Sequence, residues 1–242
     1  MSQLIILKKK IKRFNKEISI PGDKSLSIRW VLFSSLANGI SKSKNLLISE
    51  DTLAAINVVK KLGIKVILTK KFCKIYGKGI NGYKYIDNMS LDAKNSGTLG
   101  RLILGLIINS TKKIKLIGDV SLSKRDFKRV TDPLSKFGAY FKMSKNNGLP
   151  LIIKGSKYLK PIKYFEKKGS AQCKSSIIFA AMRTEGKTII KAKKSRDHTE
   201  ILFKYLKLPI SIKKSKKFDL IEIIGGKSIK SFNYNVPSDL SS

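Results

Sequence analysis

The sequence is poor in metal-binding and cross-linking residues, with one histidine, two cysteines and one tryptophan among 242 residues. A lone histidine, His198, argues against a histidine-built metal centre. Cys73 and Cys173 lie far apart and have no metal-ligand spacing, so they read as two reduced core thiols. No apolar run reaches the length of a membrane span. The run Leu4–Leu7 is too short for a signal-peptide core, and it precedes the basic cluster, the reverse of a signal's order. The expectation is a cytoplasmic protein with no membrane partner. Acidic residues are also scarce, 16 against 51 lysines and arginines, for a net charge of +35. The 42% of hydrophobic residues is nevertheless enough to fill a core.

The excess charge raises a nucleic-acid reading. Its distribution speaks against one. The 44 lysines are spread along the chain, and isoleucine and asparagine are frequent too. That pattern fits drift toward A- and T-rich codons, with lysine coating ordinary solvated positions. Such a coat binds polyanions weakly and with strong salt dependence. Against it the seven arginines stand out: Arg13, Arg29, Arg101, Arg125, Arg129, Arg183 and Arg196. An arginine kept where lysine is the default marks a need for the planar, forked guanidinium.

The chain repeats itself three times. "KSLSIRWVLFSSLANG", "NSGTLGRLILGLIINS" and "GSAQCKSSIIFAAMRTEG" each read as a helix apolar on almost all sides, which is the pattern of a buried helix. Ser25, Ser96 and Ser170 recur in them at intervals of 71 and 74 residues. A second helix start follows in each unit at Ser49, Ser121 and Ser195, read as caps or near-caps. A strand–turn–strand segment closes each unit, with Gly63 and Gly138 at two of the helix ends. The expected unit is strand, helix, strand, helix, strand, strand. Three central helices would pack together under sheets with their N-terminal turns converging.

Those turns carry small residues: Gly22 and Ser25; Asn95, Ser96, Gly97 and Thr98; Gly169, Ser170 and Ala171. Small residues let a ligand approach the backbone, and helix N-termini attract anions. Lys24, Arg29, Arg125, Lys174 and Arg196 lie beside them. Cations at the positive end of a helix are unfavourable until an anion arrives. Phosphate and carboxylate are the expected ligand groups, gripped by forked arginines. Taken singly, each serine is an ordinary helix cap. Three equivalent starts with one chemistry are not explained by capping alone. His198 reads as a polar first-turn residue, and Glu50 and Asp51 as acids that complement a helix dipole.

In order and spacing, "PGDKSLSIR", "NSGTLGR", "GDVSLSKR", "GSAQCKSS" and "SRDHTE" resemble the successive motifs of the EPSP synthase family, over about Ile18 to Ser242. The resemblance implies an α/β fold: three repeated βαβαββ units around buried parallel helices, the inverse α/β barrel of that family. It implies transfer of the enolpyruvyl group of phosphoenolpyruvate to the 5-hydroxyl of shikimate 3-phosphate, with release of phosphate and without metal or organic cofactor. By motif, Lys24 would touch both substrates and serve catalysis. Ser25, Arg29, Ser170, Gln172, Ser195 and Arg196 would bind shikimate 3-phosphate. Asn95, Gly97, Arg125 and Gln172 would bind phosphoenolpyruvate. Gly97 is where the family's glyphosate sensitivity is set, so glyphosate is the expected inhibitor. Arg101 matches a motif arginine read as structural.

Three positions depart from the family pattern. Lys94 stands where glycine commonly precedes the asparagine. Asp126 stands where proline commonly follows the arginine, as an acid able to compete for Arg125. Ser238 replaces a glycine in "VPSDLSS", which echoes "IPGDKSL". In the family that second copy opens another domain carrying the proton-transfer carboxylates. The expected layout is therefore 20–235 as the first domain, 1–19 packed with the second domain, and 236–242 as that domain's start, the whole unable to turn over alone. Rival readings are a UDP-N-acetylglucosamine enolpyruvyl transferase, which pairs lysine with asparagine where this chain has Lys24-Ser25, and a basic non-catalytic protein binding phosphate or nucleic acid. The last lacks aromatics interleaved with its cations.

Overall fold

A computed structural model describes residues 20–240, together with Arg13, Asn15 and Glu17. The segment 1–19, expected to pack with a second domain, lies largely outside the described residues, as do 241 and 242.

Three helices form the centre: α1 (Lys24–Leu36), and further along the chain the two helices Gly97–Leu106 and Ala171–Met182. Their sequences have no polar face, and burial matches. Every residue of α1 from Leu26 to Leu36 is buried, as is every residue of the third helix from Cys173 to Met182. Each fully buried leucine, isoleucine or phenylalanine contributes roughly 1.5–3 kcal/mol. Phe33 of α1 and Phe179 of the third helix meet with ring centroids 4.8 Å apart.

Around them lie three sheets of one design. After α1 the first unit continues as β1 (Ala37–Lys44), α2 (Glu50–Lys61), β2 (Lys65–Leu68) and β3 (Cys73–Lys78). The second runs β4 (Met89–Asp92), α3 (Gly97–Leu106), β5 (Lys113–Ile117), α4 (Val120–Ser123), α5 (Lys128–Lys136), β6 (Tyr140–Lys142) and β7 (Leu151–Lys154). The third runs β8 (Lys163–Glu166), α6 (Ala171–Met182), β9 (Lys187–Lys193), α7 (His198–Tyr205), β10 (Ile210–Lys214) and β11 (Phe218–Ile224). Strand orders are β4-β5-β7-β6 and β8-β9-β11-β10. In each, the leading pair is parallel and the rest antiparallel.

The first unit breaks the expected pattern. Among the described residues it has no leading strand of its own. The place beside β1 is taken, in parallel, by β12 (Ile229–Lys230) and β13 (Asn233–Asn235) from the far end of the chain. The edge of β1 needs a partner for its backbone groups, and the last segment supplies it. The chain then runs back past its own beginning: Asp23 N–H donates to Pro237 O at 2.8 Å and Asn45 Nδ2 to Val236 O at 3.0 Å.

Helix starts also differ in detail from the sequence reading. Ser49, Ser96 and Ser170 cap α2, α3 and α6. Ser25 does not cap α1. Asp23 does, its carboxylate accepting from Leu26 N–H at 2.5 Å, because a carboxylate is the better partner for a positive helix end. Ser121 sits inside the one-turn α4, which Asp119 caps. The long second helix of that unit starts only at Lys128. Ser195 precedes Asp197, the residue that opens α7.

The central helices approach very closely where side chains are absent. A Cβ on Gly105 of α3 would lie 2.2 Å from Ser176 O on α6, so only glycine fits. Cys73 and Cys173 are buried and unbridged, and burial pushes both thiols up to about 12. No helix among the described residues is long and apolar enough to cross a membrane.

Candidate functional site

The N-terminal turns of α1, α3 and α6 come to the same end of the molecule, and α6 is the hinge between two polar clusters there.

The first cluster joins α3, α6 and the loop before α5. Arg101 Nη1 donates to Gly97 O at 3.2 Å and to Gln172 Oε1 at 2.7 Å. Gln172 Nε2 donates in turn to Thr98 Oγ1 at 3.0 Å. Gly97 lies under two guanidiniums. A Cβ there would be 2.9 Å from Nη1 of Arg101 and of Arg125. Arg125 is exposed, and no hydrogen bond or ion pair among the described residues engages its guanidinium. Arg101 is only 3% exposed, and its Nε is enclosed without a hydrogen-bond partner. Burial, with Arg129 and Arg125 adding repulsion, lowers its pKa to about 10. The cluster is thus a notch of two forked cations over a bare backbone, with Gln172 fixed beside it.

Asp126 does not compete for Arg125 in this arrangement. Its Oδ1 accepts from Lys128 N–H at 2.7 Å, at the start of α5. Lys94 adopts φ +52°, a left-handed conformation, which gives the physical reason for a glycine at that place. Asn95 donates to Asp119, and that bond, with the cap Asp119 makes on Leu122 N–H, holds the Asp119 carboxyl below its ordinary value.

The second cluster joins α1, α6 and α7. Arg29 is buried, and each guanidinium nitrogen is engaged: Nε donates to Thr199 Oγ1 at 2.7 Å, Nη1 to Ser25 O at 3.0 Å and Nη2 to Ser175 Oγ at 3.0 Å. Burial lowers its pKa to about 10, opposed by Glu200 and Asp23. Beside it, fully buried Lys174 pairs with Glu200 at 2.6 Å. Burial raises the Glu200 carboxyl above its ordinary value, with Lys174 pulling the other way.

A shallow cavity of about 430 Å³ opens next to this cluster, lined by Asp23, Arg196, His198 and the Pro237–Asp239 segment. His198 is half-buried, and burial together with Arg29 holds its imidazole pKa below the ordinary value. Ser195 Oγ is enclosed with no hydrogen-bond partner. Lys24 stands at the start of α1, 3.4 Å from Asp51 of α2.

Of the residues singled out in the sequence, the fold therefore groups Gly97, Arg125 and Gln172 at one notch. It groups Ser25, Arg29 and Arg196 around the α1–α7 junction. Ser170 caps α6 through Cys173 N–H, and Glu166 takes the N–H groups of Lys168, Gly169 and Ser170. Sequence reasoning missed Glu166, Ser175, Thr199 and Asp119. The signal for Asp119 and Asp23 was present, an acid just before a helix start. Glu166 had none.

The sequence profile of EPSP synthase (3-phosphoshikimate 1-carboxyvinyltransferase) matches residues 8–242. A 3-phosphoshikimate 1-carboxyvinyltransferase of Caldicellulosiruptor bescii is 42% identical over 234 residues, 96% of this chain and 53% of the relative. One from Persephonella marina is 39% identical over 235 residues, 96% of this chain and 54% of the relative. A solved structure of EPSP synthase from Acinetobacter baumannii superposes with TM-score 0.85 at 32% identity, covering 93% of this chain and 50% of that one. The chain thus spans about half the length of the curated relatives it matches.

Proposed function

Because this chain belongs to the EPSP synthase family, we propose that residues 20–235 form the domain that grips both substrates of an enolpyruvyl transfer. The reaction joins phosphoenolpyruvate to the 5-hydroxyl of shikimate 3-phosphate. The hydroxyl gives up its proton to a base as its oxygen attacks C2 of the enol, and a proton is added at C3. The tetrahedral intermediate then expels inorganic phosphate and gives back a proton from C3, so the enolpyruvyl ether forms.

The observation that carries this reading is the notch at Gly97. Arg101 and Arg125 converge over a residue without a side chain, and neither has a carboxylate partner. A bound carboxylate and phosphate would complete it. In this reading Arg125, Asn95, Gly97 and Gln172 hold phosphoenolpyruvate, and glyphosate competes there. Ser170, Gln172, Ser195 and Arg196 hold shikimate 3-phosphate, whose phosphate would give the enclosed Ser195 hydroxyl a partner. Lys24 faces both anions. Arg29 acts through the Ser25 carbonyl and the α6–α7 junction, holding the walls of the site. The half of the relatives that this chain does not match is the expected partner and the source of the proton-transfer carboxylates. Preorganised cations in a closing cleft stabilise charge that water would otherwise have to reorganise around.

Calorimetric titration of the 242-residue chain with shikimate 3-phosphate, using UDP-N-acetylglucosamine as comparator, tests the reading. Saturable binding of shikimate 3-phosphate alone, lost in Arg196→Ala, is expected. Binding of the nucleotide sugar instead, or binding of shikimate 3-phosphate indifferent to Arg196→Ala, would overturn it.

A further inference from the structure

A second basic cavity plays no part in the reaction proposed above. It has a volume of about 480 Å³ and lies between the first turns of α5 and the strand β8. None of the substrate-binding residues named above lines it. Six cations do: Lys128, Arg129, Lys136, Lys163, Lys167 and Lys168. Not one of the six forms an ion pair among the described residues. The Arg129 Nε is enclosed and has no hydrogen-bond partner.

Three carboxylates share the lining, Asp126, Asp132 and Glu166. Two of them are committed to backbone. Asp126 accepts from Lys128 N–H, and Glu166 accepts from three successive N–H groups that open α6. Six cations against these three carboxylates leave a net positive wall, with Lys136 and Lys167 lying over the rings of Tyr164 and Phe165. Isolated lysines in this chain are solvated coat. Six cations around one cavity, including one of the rare arginines with an unmet donor, are a different arrangement.

The threefold repeat sharpens the point. The cavity beside Arg196 and His198 lies between the first turn of α7 and the segment leading into α1, and Leu26 lines it. The α5–β8 cavity is the same place one unit earlier. Cys173 lines it and stands three residues after its helix cap, as Leu26 does. The Cys173 thiol donates to Arg129 O at 2.9 Å, tying the cavity wall to α6 directly after Gln172.

We propose that the α5–β8 cavity binds a small metabolite bearing a diphosphate group. Its size suits a metabolite and not a nucleic-acid helix. The inference stands whether or not the enolpyruvyl reading does.

The test is calorimetry of the full chain with inorganic pyrophosphate at moderate salt. One saturable site is expected, weakened about tenfold or more in Arg129→Gln and in the double variant Lys163→Gln/Lys167→Gln, since each removes charge-assisted hydrogen bonds. The double variant Lys216→Gln/Lys217→Gln removes the same charge from the β10–β11 turn and should bind as the parent does. Lys163 and Lys167 are exposed, so their variant decides the matter even if Arg129→Gln fails to fold. The proposal is overturned by the absence of a saturable site, by equal weakening in the β10–β11 control, by displacement of pyrophosphate with shikimate 3-phosphate, or by tighter binding of a short oligonucleotide at the same residues.

Discussion

Arg29 and Arg101 lie in the first two turns of two central helices, and both are 3% exposed. Burial lowers both to about 10. Their surroundings are opposite. Arg29 has a protein acceptor for every nitrogen and Glu200 close by. Arg101 has acceptors at one nitrogen, an unmet Nε, and Arg125 and Arg129 as neighbours. Depth of burial therefore does not distinguish a cation whose every nitrogen has a protein acceptor from one that keeps an unmet donor. The balance of its neighbours does: Glu200 and Asp23 face Arg29, whereas at Arg101 the two arginines outweigh Asp126.

The largest effect should come from removing each arginine in turn. Arg29→Met strands Thr199, Ser175 and the Ser25 carbonyl and leaves Lys174 and Glu200 without their third charge. It should cost about 3–5 kcal/mol. Arg101→Met relieves a repulsive cluster while losing two hydrogen bonds, and should cost roughly 1 kcal/mol. Urea midpoints measure both. Equal losses would erase the comparison.

Next in size is Gly97→Ala. The new methyl must displace the Arg101 and Arg125 guanidiniums, so phosphoenolpyruvate binding should weaken by about 10–100-fold, or about 1.4–2.8 kcal/mol. Shikimate 3-phosphate binding at the Arg29 side should hold. Calorimetry with each ligand separates the two, and a parallel loss of both would show the clusters to be one site.

How much of this was legible beforehand differs between the two arginines. The buried helices and their caps at Ser96 and Ser170 were readable, because an all-round apolar helix behind a small capping residue is a local pattern. Gly97, Arg125 and Gln172 of the notch sit in short motifs and were readable for the same reason, whereas Arg101, which closes the notch, was read as structural. The partners of Arg29 were not, because Thr199 and Ser175 come from another unit and nothing local marks them. Nor was the strand exchange at β1 legible, since β12 and β13 are short and lack alternation. The orientation of Asp126 was set by the helix start at Lys128, about two turns later than the sequence suggested.

A smaller effect tests the Arg29 side by pH. His198 titrates below its ordinary value of 6.5 because burial and Arg29, with Arg196 adding to them, disfavour the imidazolium. The unfolded chain therefore binds the proton first, and stability should fall as pH drops from 6.5 toward the folded value. His198→Gln should flatten that slope in thermal midpoints. An unchanged slope would mean that the charge around Arg29 does not reach the α7 start.

The smallest effect is expected at the Arg101 side. Lys94→Gly relieves a left-handed backbone and gives up only an exposed pair with Asp92. Stability should rise by about 0.5–1 kcal/mol. A loss of stability would show that the lysine side chain, and not the backbone, fixes the turn before Asn95.

The borrowed strand of the first sheet has a consequence for how the chain is made. β1 leaves the ribosome early, but its parallel neighbours β12 and β13 are synthesised only after the whole of the second and third units. Until Ile229 and Asn233 emerge, β1 presents an open edge in a chain whose other two sheets can already close. That edge is a template for pairing with the wrong chain. The nascent protein would be most dependent on chaperones during the interval in which its second and third units are finished and its first is not.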